Sequence, residues 1–285
     1  MNTADKLWGS ERCQLFKDIA DKVWFRILRK HKLGLNDKEV AITNDIIADI
    51  LEYRITHLKN FDVYARDGYL ESVYGNDIDL FVEIYPDEYK WFALQAKLLK
   101  KNNKYNSLRD SSDGDYQWDK LYHLEEISGC TPYYLLYNGV ENYKHPGKDL
   151  CNKEFNESQF GCSLVEPREI ETLATKIGRT GRYINPKFED IHPKLAQPWR
   201  VLVCCQQEVK NIELYSFEEI KDSLTDLKII TPIFKDVDSG MDKIDDENKN
   251  IDFDENPENR IFAASKEAGW NPQIRIVVSL SPSQE

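Results

Sequence analysis

This 285-residue sequence predicts an α/β fold built as one domain, and three observations carry that prediction. Two amphipathic helical stripes open the chain, and from Phe61 the apolar period shortens to two. Further on, a helical stretch separates two apolar strand runs, FALQAKLL (92–99) and PYYLLYNGV (132–140). With 41% hydrophobic and 12% aromatic residues the chain can bury a real core, which excludes global disorder.

Residues 11–30, ERCQLFKDIADKVWFRILRK, place Leu15, Ile19, Val23, Ile27 and Leu28 on one stripe, with Gly34 beyond as a stop. A second helix is expected over Glu39–His57, capped by Asn36 or Asp37, with Ile42, Ile46, Ile47 and Ile50 on its apolar face. FDVYARDGYLESVY (61–74) alternates around Gly68 as one or two short strands. YGNDIDLFVEIYPDEYKWFALQAKLLKK (74–101) then reads as a hairpin turning at Pro86-Asp87. Trp118–Ser128 is a helix, and the strand over 132–140 ends at Asn138-Gly139. Residues 149–164 are irregular with a strand at their end, and Glu166–Gly178 is a helix with Pro167 in its first turn. WRVLVCC (199–205) is expected to be a buried strand. Residues 216–227 suit a helix, 235–260 an acidic surface loop, and PQIRIVVSLS (272–281) a closing strand. No repeat or linker divides residues 1–285, so the C-terminal half embellishes a single domain.

The formal charge of −12 disfavours a protein that coats nucleic acid by bulk electrostatics. Half of that excess lies in residues 235–260, where ten Asp or Glu stand against four Lys or Arg. No run of about 18 apolar residues is present and the N-terminus has no basic-then-apolar leader, so a cytoplasmic protein with no membrane partner is expected. The six cysteines form no CxxC pair and no Cys-His spacing, which favours reduced, buried thiols over zinc or disulfides. The five histidines lack ligand spacing and read as surface or capping residues. GRTGRY (178–183) follows a helix and lacks the lysine-serine ending of a phosphate loop, so it reads as a plain loop. Trp91, Phe92, Tyr133 and Tyr134 read as core.

The hairpin carries the chemistry. Residues two apart on a strand face one way, so Asp77 and Asp79 share a face, as do Gln95 and Lys97 on the partner strand. Pairing these faces brings two carboxylates, an amide oxygen and an ammonium group together. Mg²⁺ or Mn²⁺ takes such oxygen ligands, with Asp77 or Asp79 supplying charge and the Gln95 side chain or the Ala96 carbonyl completing the set. Lys97 beside the cation would orient or deprotonate a water and neutralise charge developing on a phosphoryl group.

These residues resemble the PD-(D/E)xK nuclease superfamily in its QxK variant, familiar from Mrr-like restriction endonucleases and from nucleases of bacterial anti-phage defence. GND (75–77) with strand IDLFVEI is similar to the family's glycine-acid strand, and ALQAK (93–97) to its second motif. The resemblance implies a mixed central sheet flanked by helices, a restriction-endonuclease-like core over about residues 36–140, and a Mg²⁺- or Mn²⁺-dependent deoxyribonuclease. It assigns catalysis to Asp77, Gln95 and Lys97 and the metal to Asp77, Asp79 and Gln95. A supporting Glu from the preceding helix is Glu39 or Glu52, and Gln117 opens the helix after the core motif. The basic residues Lys100, Lys101, Lys104 and Arg109 follow the active strand, where they would contact phosphates.

The implied substrate is DNA, with RNA the alternative, and an acidic nuclease without a separate DNA-binding module suggests a homodimer or an activating partner. Two other readings compete. A solvated sheet face, with Asp77 and Asp79 balanced by Lys97, needs no function, but the apolar run around Lys97 argues for a central, covered strand. A non-catalytic regulator or interaction module of nuclease fold is the functional alternative, and such a member would be expected to lose the Asp77, Gln95 and Lys97 set.

Overall fold

The computed structural model describes residues 10–56, 63–67, 75–85, 88–112, 114–144, 156–204 and 214–216. The expected helix over 216–227 apart from Ser216, the acidic loop over 235–260 and the closing strand over 272–281 lie outside these residues. The fold is α/β, with a mixed sheet flanked by helices.

Helix α1, Glu11–Lys32, forms where the stripe predicts it. Ser10 caps it by accepting from the Cys13 N–H at 3.4 Å, and Arg29, Lys30, His31 and Lys32 occupy its last turn, where cations favour the helix dipole. Leu15, Phe16, Ile19, Val23 and Ile27 are all buried. Its C-terminal half also sets the entry to α2, Glu39–Thr56. Buried Asp37 accepts from Arg26 Nε at 2.5 Å and pairs with Lys30 Nζ at 2.7 Å. Burial alone would raise the Asp37 pKa, but the Arg26 and Lys30 bonds outweigh it and hold the carboxyl at about 2. Glu39 therefore starts α2 at a place dictated by α1.

The sheet runs β1-β2-β3-β6-β7-β8: five strands and a two-residue edge, comprising Val63–Asp67, Ile78–Tyr85, Glu88–Leu98, Thr131–Tyr137, Cys162–Val165 and Gln197–Pro198. All neighbours are antiparallel except β3 and β6. A parallel pair needs a crossover, which here holds the small β4–β5 hairpin (Ser111–Ser112 and Asp115–Tyr116) and α3, Gln117–Ser128. β3 is the central strand, with every residue from Trp91 to Leu99 buried. After β6 come a 3₁₀ turn, Glu157–Gly161, and helices α4 (Pro167–Ala174) and α5 (Phe188–Ile191).

Three expectations need correction. The run 199–205 does not extend as a strand: pairing stops at Pro198, and Val201–Cys204 form the short helix α6. A short apolar run fits either state by period, and packing on α1 decides it. Trp199 Nε1 donates to the Phe16 carbonyl at 2.8 Å, and Arg12 Nε donates to the Val203 carbonyl at 3.1 Å. Nor are all the cysteines reduced. Cys13 and Cys204 form a disulfide between α1 and α6, while Cys130 and Cys162 are free and buried. Sequence spacing is silent on two residues 191 apart. The helix expected to Gly178 ends at Ala174, with Thr175 as its C-cap.

His192 takes the capping role, as the buried C-cap of α5. Its Nδ1 donates to the Phe188 carbonyl at 3.1 Å, so neutral Nε2 accepts from Ser163 Oγ at 2.7 Å. Asn138 Nδ2 donates to the same Ser163 oxygen at 3.0 Å, and Asn138 Oδ1 accepts from Tyr105. The Ser-His pair looks nucleophilic but is sealed, since Ser163 is 0% exposed. Its role is to join the ends of β6 and β7 to α5.

The 3₁₀ turn rests directly on α1. A Cβ on Gly161 would fall 1.9 Å from the Ala20 carbonyl oxygen, backbone against backbone. Gly161→Ala is expected to lower stability by about 2–3 kcal/mol, read by denaturant unfolding. Burial pushes the His192 pKa down to about 3, so the native state refuses a proton that the unfolded chain accepts near pH 6.5. This contribution is complete above that pH and is lost below it by up to ~1.4 kcal/mol per pH unit. His192→Gln is expected to flatten the fall in melting temperature between about pH 6.5 and 4.

Candidate functional site

β3 runs past the start of β2, and the site lies at that overhang. The last β2–β3 pair is Ile78 with Leu94, and Asp77 follows by donating its N–H to the Leu94 carbonyl at 2.8 Å. Beyond it, the edge of β3 that faced β2 has no strand partner among the described residues. Two carboxylates take its place. Asp77 Oδ2 accepts from the Ala96 N–H at 2.6 Å, and Glu39 Oε1 accepts from the Leu98 N–H at 3.0 Å. The two amides stand two residues apart on one strand, about 7 Å along the edge.

Asp77 reaches this position from a tight loop. Gly75 has φ +72°, and a Cβ there would lie 3.0 Å from both the Gln117 carbonyl oxygen and Lys120 Cβ. The Gly75-Asn76 loop thus packs on the first turn of α3, with Asn76 buried.

The side chains of β3 complete the group. Gln95 is 1% exposed, and its Nε2 lies 2.5 Å from Asp77 Oδ2 and 3.3 Å from the Ala96 carbonyl oxygen. Gln95 Oε1 is buried with no hydrogen-bond partner among the described residues. Lys97, on the same face, is 2% exposed, and Asp110 Oδ2 lies 3.5 Å from its Nζ. That is a long contact for the ion pair of a buried lysine.

The arrangement tests whether Mg²⁺ or Mn²⁺ suits these residues. The Asp77 carboxylate, the Gln95 amide and the Ala96 carbonyl are three oxygen sources around one point, of the hard type these ions take. Among the described residues no three His, Cys, Asp or Glu side chains form a metal-binding group, but a cation that keeps several waters needs only one or two carboxylates. The orphaned Gln95 oxygen decides the fit. The terminal torsion of a glutamine amide is broad and roughly two-fold. Turned by half a turn, the amide would set Oε1 against Asp77 Oδ2, two acceptors that a cation between them would reconcile. The residues present fit the ion.

The remaining expected residues divide. Asp79 shares the face of Asp77, but its Oδ1 accepts from Asn76 Nδ2 and Trp91 Nε1, both at 2.9 Å, so it serves the local packing. That leaves Asp77 as the carboxylate at the site. Glu39 stands at the site's edge, with Lys100 Nζ 3.9 Å from its Oε1. Glu52, thirteen residues further along α2, is about 20 Å away on the helix axis and is not brought to the site. Gln117 sits beside the Gly75 loop, and its Oε1 is another buried atom without a partner among the described residues. Lys101 ties the loop between α1 and α2 to β3, donating from Nζ to the Gly34 carbonyl at 2.9 Å. Lys104 lies further out on the chain leaving β3 and pairs through its backbone with Lys187. The Arg109 guanidinium lies 3.4 Å from the Tyr183 ring centre, and its Nη2 donates to Tyr116 Oη at 3.1 Å.

Asp110 and Tyr134 are the members that sequence reasoning missed. Tyr134 pairs with Gln95 across β3 and β6 and points the same way. It is core, as its surroundings suggest, but its hydroxyl is buried with no hydrogen-bond partner among the described residues. Burial, reinforced by Tyr122, Asp110, Asp119 and Asp77, holds its pKa well above 10, so the hydroxyl keeps its proton. Only the parallel pairing with β6 reveals it. Because this hydroxyl makes no bond among the described residues, Tyr134→Phe is expected to leave the melting temperature unchanged or slightly raised. A loss above about 1 kcal/mol in denaturant unfolding would show that the hydroxyl serves the fold.

Among the described residues no helix is long and apolar enough to cross a membrane. No curated protein matches the chain. The profile described as "Family of unknown function (DUF6615)" matches residues 12–277. That span takes in α1 apart from Glu11, the whole sheet and every residue of the candidate site, and the chain belongs to the DUF6615 family.

Proposed function

We propose that this protein is a metal-dependent endonuclease that hydrolyses phosphodiester bonds of DNA. One observation carries the reading. At the overhanging end of β3, Asp77, the Gln95 amide and the Ala96 carbonyl meet beside a buried lysine, and the Gln95 oxygen has no partner among the described residues. Structural packing alone gives no reason to bury Lys97 with, among the described residues, one 3.5 Å contact to Asp110. The similarity of GND and ALQAK to the QxK nucleases supports the same conclusion.

Asp77, Gln95 and the Ala96 carbonyl would hold Mg²⁺ or Mn²⁺, which when bound supplies Lewis acidity toward a phosphoryl oxygen and a more acidic water. Lys97 places a positive charge next to that point, in a covered strand where water screens it little. It therefore favours the extra negative charge of the transition state and orients the attacking water. Asp110 positions the lysine. The Tyr134 hydroxyl, protonated and unspent, is a neutral donor for a phosphate oxygen. Glu39 keeps the β3 edge open by satisfying the Leu98 amide without a strand.

The test is cleavage of supercoiled plasmid, linear duplex, single-stranded DNA and RNA by the full chain with Mg²⁺, Mn²⁺ or EDTA. Cutting of DNA is expected only with metal, and Lys97→Ala is expected to reduce it at least about a hundredfold. Calorimetric titration with Mn²⁺ is expected to detect binding that Asp77→Ala removes. Absence of both cutting and Asp77-dependent metal binding would overturn the reading and favour a non-catalytic regulator.

A further inference from the structure

Residues 172–188 carry four cations, Lys176, Arg179, Arg182 and Lys187, and no carboxylate. In a chain of net charge −12 this is a local reversal. The stretch read as a plain loop from its sequence is an ordered hairpin. Ile177 and Tyr183 bridge its arms, the Gly178 N–H donates to the Arg182 carbonyl at 2.7 Å, and Gly181 closes the turn at φ +73°. Arg179 and Arg182 are exposed at its tip. Ile177, Tyr183 and Ile184 are 62%, 49% and 48% exposed, so the hairpin presents apolar side chains beside its cations.

The hairpin is fastened to the site in two places. At its base the Tyr105 N–H donates to the Pro186 carbonyl at 3.0 Å and the Phe188 N–H to the Asn103 carbonyl at 3.3 Å, so it runs beside the chain leaving β3. At its arm Tyr183 stacks on Arg109, the neighbour of Asp110, which faces Lys97. The base also sets Lys104 opposite Lys187 in an antiparallel bridge, where like charges are unfavourable. Among the described residues none of Lys104, Lys176, Arg179, Arg182 and Lys187 has an ion pair. Glu189, next along the chain, is taken by the Asn103 amide at 2.6 Å.

We infer that this hairpin, with Lys104 and Arg109, is the surface that grips the phosphate backbone of the DNA substrate beside the bond to be cut. The inference rests on the nuclease reading for its substrate. Cations left without carboxylates are matched by a polyanion, whose binding releases condensed counterions. The apolar side chains between them suit the sugar edges of a strand. A locally positive hairpin explains how a strongly acidic protein can hold DNA: the contact surface differs in sign from the average.

Binding of a fluorescent DNA duplex is measured on full-length Lys97→Ala across a salt series, with and without Arg179→Gln and Arg182→Gln, and cleavage is measured in parallel on the chain with Lys97 intact. Loss of two phosphate contacts is expected to lower the slope of log affinity against log salt by about 2. Equivalently, the affinity lost between about 50 and 200 mM salt shrinks roughly tenfold. Arg179→Lys with Arg182→Lys is expected to retain the slope, which separates charge from folding. An unchanged slope and affinity in the glutamine pair would overturn the hairpin's role while leaving metal-dependent cutting to stand. Hairpin-dependent binding by a chain that never cuts would support the surface and sink the nuclease reading.

Discussion

The site depends on a mismatch in strand length. β2 begins at Ile78, opposite Leu94, while β3 continues to Leu98. A buried strand edge with nothing beside it leaves amides to be satisfied. Asp77 and Glu39 answer the Ala96 and Leu98 amides with carboxylate oxygens rather than carbonyls. A paired strand would have presented neutral carbonyls and filled the space. The overhang instead brings negative charge to the buried end of β3.

Several remote features serve that mismatch. Arg26 and Lys30 of α1 hold Asp37 and so determine where α2, and with it Glu39, begins. Gly75 lets the loop before β2 press against α3, which aims Asp77 back at β3 rather than along β2. The glycines at 139 and 161 allow the ends of β6 and the 3₁₀ turn to approach the α1 backbone closely. The helix that supplies the anchor for α2 is thereby packed against the end of β6 and the 3₁₀ turn as well.

Electrostatically the molecule separates its charges. Lys97 and Gln95 are buried, the first with one distant carboxylate and the second with a partnerless oxygen among the described residues. The positive hairpin over 176–187 stands outside them, joined through Tyr183, Arg109 and Asp110. The Tyr105–Asn138–Ser163–His192 network, by contrast, is satisfied and closed, with each polar group spent on another. A fully bonded buried network reads as structure, whereas a buried group lacking a partner reads as a place for a ligand.

The sequence by itself determined the local pieces. Period 3.6 located α1 and α2, period 2 located β2 and β3, and alternation put Asp77 with Asp79 and Gln95 with Lys97, the short turn between the strands joining the two faces. These follow from side-chain geometry within one element or across one short turn. Tertiary structure decided whatever depends on distant chain segments meeting. It separated Asp77 from Asp79 through the Trp91 and Asn76 bonds, chose Glu39 over Glu52 by their places along α2, and brought Tyr134 beside Gln95 through parallel pairing. It also folded 199–204 as a turn of helix against α1 and joined Cys13 to Cys204. An apolar run satisfies helix and strand periods alike, and contacts across 191 residues leave no trace in local spacing, so only the packed molecule could settle them.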